Sequence, residues 1–157
     1  KEPANSEYRI CLFQILAVLG QWKRSLTQLN VAAELDAGNL LLAHMYRPAI
    51  LCEMLRSEVF AAQKTPLVFG EPQPWVSWMI QSMHYCAKEN YKAARRLREK
   101  AFEEAPAIQG TINGQTFSWI ADGDSRIGPI AEAIIDGNTS WVRFQISSRY
   151  ISKRPQT

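Results

Sequence analysis

Apolar residues return at helical intervals through the first two thirds of the chain, then break into short runs between glycines. Leu12, Phe13, Leu16 and Leu19, followed by Leu26, Leu29 and Ala33, keep the three- and four-residue spacing that gathers side chains on one helix face. Gly20-Gln21-Trp22 interrupts the two stripes, which predicts a helical hairpin turning at Gly20, where a left-handed residue is cheap. Asn5 or Ser6 is the starting cap, and Asp36, Gly38 and Asn39 end the pair. Leu40 to Ala61 is the next helical stretch, with Leu41, Met45, Leu55, Val59 and Phe60 apolar and Arg47, Glu53, Arg56 and Glu58 facing out. Pro48 lies inside it; a proline there removes a backbone hydrogen bond and crowds the preceding turn, so a kink or a break is expected. Gln63 to Pro74, with Pro66, Gly70 and Pro72, reads as an ordered non-helical connection anchored by a buried Leu67-Val68-Phe69.

Trp75 to Lys88 and Tyr91 to Ala105 make a second helical hairpin. Trp78, Tyr85, Ala94 and Pro106 fall where a tetratricopeptide repeat places its Trp, Tyr, Ala and Pro. Large residues on the first helix of such a repeat pack over a small one on the second, and the proline stops it. Trp22 and Tyr91 are 69 residues apart, two repeat periods, so the intervening helix occupies the place of one irregular repeat. Helix-forming residues thin out after Pro106. Thr111 to Phe117, with Asn113-Gly114 between alternating residues, predicts a β-hairpin, and Phe117-Ser118-Trp119-Ile120 a strand. Ile130 to Ile135 reads as strand, because Gly128-Pro129 and Asp136-Gly137 bound it although Ala-Glu-Ala favours helix. With Trp141-Val142 it forms a further hairpin around a loop whose approximate extent is Asp136 to Ser140. The expected architecture is α+β: mainly α-helical tetratricopeptide-like hairpins over residues 1–106, followed by a small β-rich region with hairpins over 107–157.

The run FSWIADGDSRIGPIAEAIIDGNTSWVRF, Phe117 to Phe144, is the most distinctive text in the chain. It resembles the ImpE family, also called TagJ, whose run reads close to WIADADSRLGPVLEAIVNGRYYWVPF. Trp119, Asp122, Asp124, Ser125, Arg126, Gly128, Pro129, Gly137 and Trp141 are among the matching positions. Gly123, Asp136, Asn138-Thr139-Ser140 and Arg143 depart from the pattern. Leu12 to Asp36 and Thr65 to Trp75 also look like this family, so the likeness runs from about Tyr8 to Phe144. The resemblance implies a non-enzymatic accessory protein of bacterial type VI secretion, cytoplasmic, associated with the contractile sheath through its small subunit TssB and connected with the recycling ATPase ClpV. It implies a groove taking an amphipathic sheath-subunit helix; Tyr8, Arg9, Gln14, Tyr46 and Arg47 on the first helices are the candidate partner-binding residues. The family continues with more strands, so the β region here, including the tail Gln145 to Thr157 with its Ile146 and Ile151, reads as incomplete with an unprotected edge. Self-association stays open.

Composition adjusts this picture little. Apolar residues make up 46% and charged residues 21% of 157, a globular balance with material for a core. A net charge of +3 is too small to argue for nucleic acid, and no apolar run approaches the roughly 20 residues that span a bilayer. No charged-then-apolar leader is visible, and a chain starting at Lys1 reads as a piece of a longer one. Cys11, Cys52 and Cys86, an odd number widely spaced in apolar helical contexts, read as buried free thiols and favour a reducing compartment.

Two chemical readings compete with the adaptor. Asp122-Gly123-Asp124 suggests a hard-cation loop, but counting from Asp122 an EF-hand would need a ligand where Arg126 stands and Glu where Ala133 stands. A turn held by side-chain hydrogen bonds, with Arg126 paired to a carboxylate, accounts for it better. Gly123-Asp124-Ser125 evokes a serine hydrolase, but His44 and His84 are both upstream in predicted helices, no Asp-x-x-His follows Ser125, and the histidines lack metal-ligand spacing. No cofactor motif, catalytic residue or metal site is assigned. Lys88, Lys92, Arg95, Arg96, Arg98 and Lys100 form a basic run, interleaved and followed by Glu99, Glu103 and Glu104. Pairing four residues apart on a solvated face is its default; an acidic partner is the alternative. Of the tryptophans, Trp22, Trp78 and Trp119 are expected at packing positions, with Trp75 and Trp141 less determined.

Overall fold

The structure, a computed structural model, describes residues 4–144. The elements are α1 (Ser6–Val18), α2 (Trp22–Leu35), a 3-10 turn (Ala37–Asn39), α3 (Leu40–Phe60), β1 (Leu67–Val68), α4 (Pro74–Ala87), α5 (Tyr91–Glu104), β2 (Gly110–Ile112), β3 (Gln115–Phe117), β4 (Ile130–Ile135) and β5 (Asn138–Arg143). The α+β class is as expected, with helices before residue 106 and nearly all strand after it. The tail from Gln145 lies outside the described residues. Contacts divide the chain into two compact units, one running to Ser57 and taking in Ile134–Asn138, the other running from Glu58 to Ala133 and resuming at Thr139.

In the first unit, α1 and α2 form the predicted hairpin. The Asn5 side chain accepts from the backbone N–H of Glu7 and Tyr8, satisfying donors that a helix start leaves without partners. Gly20 turns the chain at φ +68°. Phe13, Leu29, Ala33, Ala43 and Ile50 make the core, with Ile10, Trp22, Leu26 and Leu42 against it. The α3 helix runs unbroken through Pro48, so the expected break does not occur.

In the second unit, α4 and α5 repeat the first hairpin at the 69-residue offset read from Trp22 and Tyr91. Leu19 and Lys88 cap the first helices; Gly20 and Glu89 follow with φ of +68° and +57°. The same two backbone bonds close each turn: Gly20 N–H to Ala17 O (2.9 Å) and Gln21 N–H to Leu16 O (2.8 Å), then Glu89 N–H to Cys86 O (3.0 Å) and Asn90 N–H to Tyr85 O (2.9 Å). Where the helices cross, the offset pairs Phe13 with Ser82 and Ser25 with Ala94. Ser25 Oγ donates to Phe13 O at 2.8 Å in one hairpin, and Ser82 Oγ donates to Ala94 O at 2.9 Å in the other. The crossing is thus tied by one hydroxyl in each case, supplied from opposite helices. All three small side chains, Ser25, Ser82 and Ala94, are buried.

The strands form two sheets, β1-β5-β4 and β2-β3. The Asn113-Gly114 hairpin is as predicted, with Gly110 facing Phe117 and Ile112 facing Gln115. β3 ends at Phe117, so the strand expected through Ile120 stops short. The loop between β4 and β5 is tighter than expected: Asp136 and Gly137 alone turn it, both at positive φ (+50° and +75°), the geometry that matches strand twist in a two-residue hairpin. Thr139 and Ser140 are therefore buried strand residues rather than loop. Leu67-Val68 is a strand pairing in parallel with Ser140-Trp141, extended by Phe69 N–H to Trp141 O at 2.9 Å. It is not the buried anchor expected, since Leu67 is exposed and its neighbours half-buried; Pro66 is the buried residue there.

Candidate functional site

The distinctive run folds into a self-bonded loop leading to β4. Asp122 N–H donates to Gly128 O at 2.7 Å, drawing the ends of the loop together, while Ile127 N–H (3.0 Å) and Gly128 N–H (2.9 Å) both donate to Asp124 O. The carboxylates serve the turn, as the sequence predicts: Asp122 Oδ1 accepts from Asp124 N–H at 2.7 Å, and Asp124 Oδ1 accepts from Arg126 N–H at 3.0 Å. The Arg126 guanidinium grips both Asp124 oxygens, with Nη2 2.5 Å from Oδ2. That hydrogen bond raises the arginine above its ordinary pKa, against the lowering effect of partial burial, with smaller charge contributions from Asp124, Cys86 and Glu132. The guanidinium also lies over the Phe60 ring, 4.4 Å from its centre.

Ile127 and Ile130 enter the core beside this loop. Gly128, at φ +45°, lies so close to the Phe102 ring of α5 that a Cβ would come within 2.2 Å of it. Asp122 and Asp124 thus hold the loop's own shape, while Arg126 and Gly128 bring it against Phe60 at the end of α3 and Phe102 of α5. Ser125 is exposed, and among the described residues no cluster of three or more His, Cys, Asp or Glu could hold a metal ion. His84 Nδ1 is engaged with Ile80 O of its own helix at 2.9 Å. Trp119 is 66% exposed, contrary to the core position expected, whereas Trp141 and Trp75 are the buried tryptophans. The Trp141 Nε1 has no acceptor among the described residues.

The candidate partner-binding residues separate into two kinds. Arg9 is tied to Gln28 at 2.7 Å, and Arg47 to Asn30 at 2.8 and 3.0 Å; both fasten neighbouring helices. Tyr46 packs at a tilt on Phe13, ring centres 5.7 Å apart. Tyr8 and Gln14 are open. Sequence reasoning passed over the residues that extend Tyr8 along α1: Tyr8, Leu12, Ile15 and Leu19 are 61%, 37%, 50% and 62% exposed and follow one another at helical spacing. The face bearing Phe13 and Leu16 is buried in the first unit, so α1 has two apolar faces and only one is covered among the described residues. The missed signal was the lack of a polar face in SEYRICLFQILAV, a helix apolar nearly all round. Of the cysteines, Cys11 is exposed, Cys86 half-buried and Cys52 buried, so the expectation of three buried thiols holds for one. No described helix is long and apolar enough to cross a membrane.

Comparison with known proteins agrees with the likeness seen in the residues. Residues 114–157 match the ImpE protein family. The type VI secretion system accessory component TagJ of Pseudomonas aeruginosa is 45% identical over 141 residues, 90% of this chain and 50% of that protein. The chain therefore spans half the length of this relative. A crystal structure of a Vibrio parahaemolyticus protein matches 90% of this chain and 53% of its own, with a TM-score of 0.79 at 22% identity, which shows a shared fold. The resemblance is thereby borne out: residues 114–157 carry the ImpE family sequence, and the chain is a relative of TagJ over 90% of its length.

Proposed function

We propose that this chain is an accessory adaptor of bacterial type VI secretion, working in the cytoplasm without catalysis, whose first helical unit takes an amphipathic helix of the small sheath subunit, TssB, and through it connects to ClpV-dependent recycling. The observation that carries the reading is the second apolar face of α1, Tyr8, Leu12, Ile15 and Leu19. Exposed apolar side chains repeating over three turns are what a partner helix with anchors at i, i+3, i+4 and i+7 would cover. The likeness to TagJ supports the choice of partner system. The self-bonded Asp122–Gly128 loop supports a scaffold role, because its carboxylates are occupied in holding the turn. Co-purification with the sheath subunit tests the proposal. Leu12→Asp and Ile15→Asp place charges on the exposed face and leave the Phe13–Leu16 face intact. They should abolish recovery of the subunit while the circular dichroism of the chain stays unchanged; undiminished recovery with both variants would overturn the α1 assignment.

A further inference from the structure

The second hairpin carries a groove of different chemistry. Gln81 and Tyr85 of α4 face Ala93, Arg96, Leu97 and Lys100 of α5 across an open depression of about 390 Å³. That size falls within the roughly 300–1,000 Å³ of ligand sites. Lys100 of this lining also lies over the Trp78 ring, its Nζ 3.8 Å from the ring centre. The lining thus combines the aromatic Tyr85, the apolar Ala93 and Leu97, and the cations Arg96 and Lys100, which are four residues apart on α5.

Two other cations of α5 are engaged elsewhere, Arg95 pairing with Glu99 at 2.7 Å and Arg98 reaching Cys86 Sγ at 3.3 Å, while Lys92 is not among the residues lining the depression. Arg96 and Lys100 have no carboxylate partner among the described residues. They stand four residues apart on one helix face, a like-charge arrangement that weakens a helix. A chain using α5 only as a solvated face would gain by alternating these positions; here both cations border the same depression.

We propose that this groove docks an acidic peptide segment of a protein partner, its carboxylates pairing with Arg96 and Lys100 and its apolar side chains lying on Leu97, Ala93 and Tyr85. Charge complementarity sets the sign of the occupant, and the apolar part of the lining sets its mixed character. Glu99, Glu103 and Glu104 on the same helix disfavour a continuous polyanion, which selects a peptide over a nucleic acid. The surface lies on α4 and α5 and uses no residue of the α1 face.

The test is fluorescence anisotropy with a fluorescein-labelled amphipathic peptide bearing Glu at i and i+4 beside a leucine stripe. The same peptide with Gln for Glu, inorganic phosphate and a single-stranded DNA oligonucleotide serve as competitors. The proposal expects saturable binding that weakens as salt rises from about 50 to about 300 mM. Arg96→Gln with Lys100→Gln should weaken it about three- to tenfold, as two exposed ion pairs would. Arg95→Gln, outside the groove, should leave it unchanged, and Arg96→Glu with Lys100→Glu should abolish binding of the Glu peptide and transfer it to a version of the peptide with Lys in place of each Glu. Absence of binding, equal binding by the Gln variants, or equal competition by phosphate or DNA would each overturn it. Ile15→Asp should leave this binding intact, so failure here and failure of the sheath-helix reading are separately visible.

Discussion

Gly128→Ala is the sharpest test of what the distinctive run does. Two costs are expected. At φ +45° a Cβ crowds its own backbone, worth about 1–2 kcal/mol for an alanine held left-handed. The new carbon would also meet the Phe102 ring at 2.2 Å, so the ring must swing from its place over the loop, an overpacking cost of about 1–3 kcal/mol. Together the loss should be about 2–5 kcal/mol, a large share of the ~5–15 kcal/mol that holds a domain folded. Urea denaturation followed by circular dichroism reads it as a lower midpoint at unchanged slope. Gly114→Ala is the control, because φ is +80° there and nothing lies within 4 Å of the added Cβ; it should show the backbone cost alone. Removing the ring with Phe102→Ala should relieve part of the Gly128→Ala loss, so that the double variant loses less than the sum of the two single losses. If Gly128→Ala costs no more than Gly114→Ala, or if the two sites do not couple, the loop is not fastened to α5 through this contact.

Two further outcomes follow from the duplicated hairpin. Ser25→Ala and Ser82→Ala should each cost about 1 kcal/mol in urea titrations, since each removes one buried hydroxyl bond across equivalent helix crossings. Glu89→Gly should stabilise the chain by about 0.5–1 kcal/mol, raising its thermal midpoint, because Glu89 holds φ +57° where the first hairpin places Gly20.

What the sequence shows of this fold depends on how local each cause is. The hairpin α1–α2 and its echo α4–α5 were legible because apolar spacing, a turn residue and the distance from Trp22 to Tyr91 all lie along the chain. The Asx turn at Asp122–Asp124 and its Arg126 partner were legible for the same reason. The strand Leu67-Val68 was not, because two residues between prolines become a strand only through pairing with Ser140-Trp141, some seventy residues away. The Asp136-Gly137 turn was read too long: Thr139 and Ser140 are polar by type, but their burial is set by the sheet they join. Trp119 matches a family position, and a match fixes identity without fixing exposure. The open face of α1 was missed for a related reason, since Leu12 and Leu19 count toward a helical stripe whether that stripe is covered or bare. Pro48 could have kinked or broken the helix on local rules; α3 continues through it, so it does not break there.

A sheath-subunit helix seated on the second apolar face of α1 should be measurable by titration calorimetry with a peptide of that subunit's N-terminal helix. Binding should be saturable with a negative heat-capacity change, the mark of apolar burial, lost in Ile15→Asp and kept in the Arg96→Gln, Lys100→Gln variant. No heat at two temperatures together with no competition against the intact subunit, or binding that Ile15→Asp leaves unaltered, would contradict it.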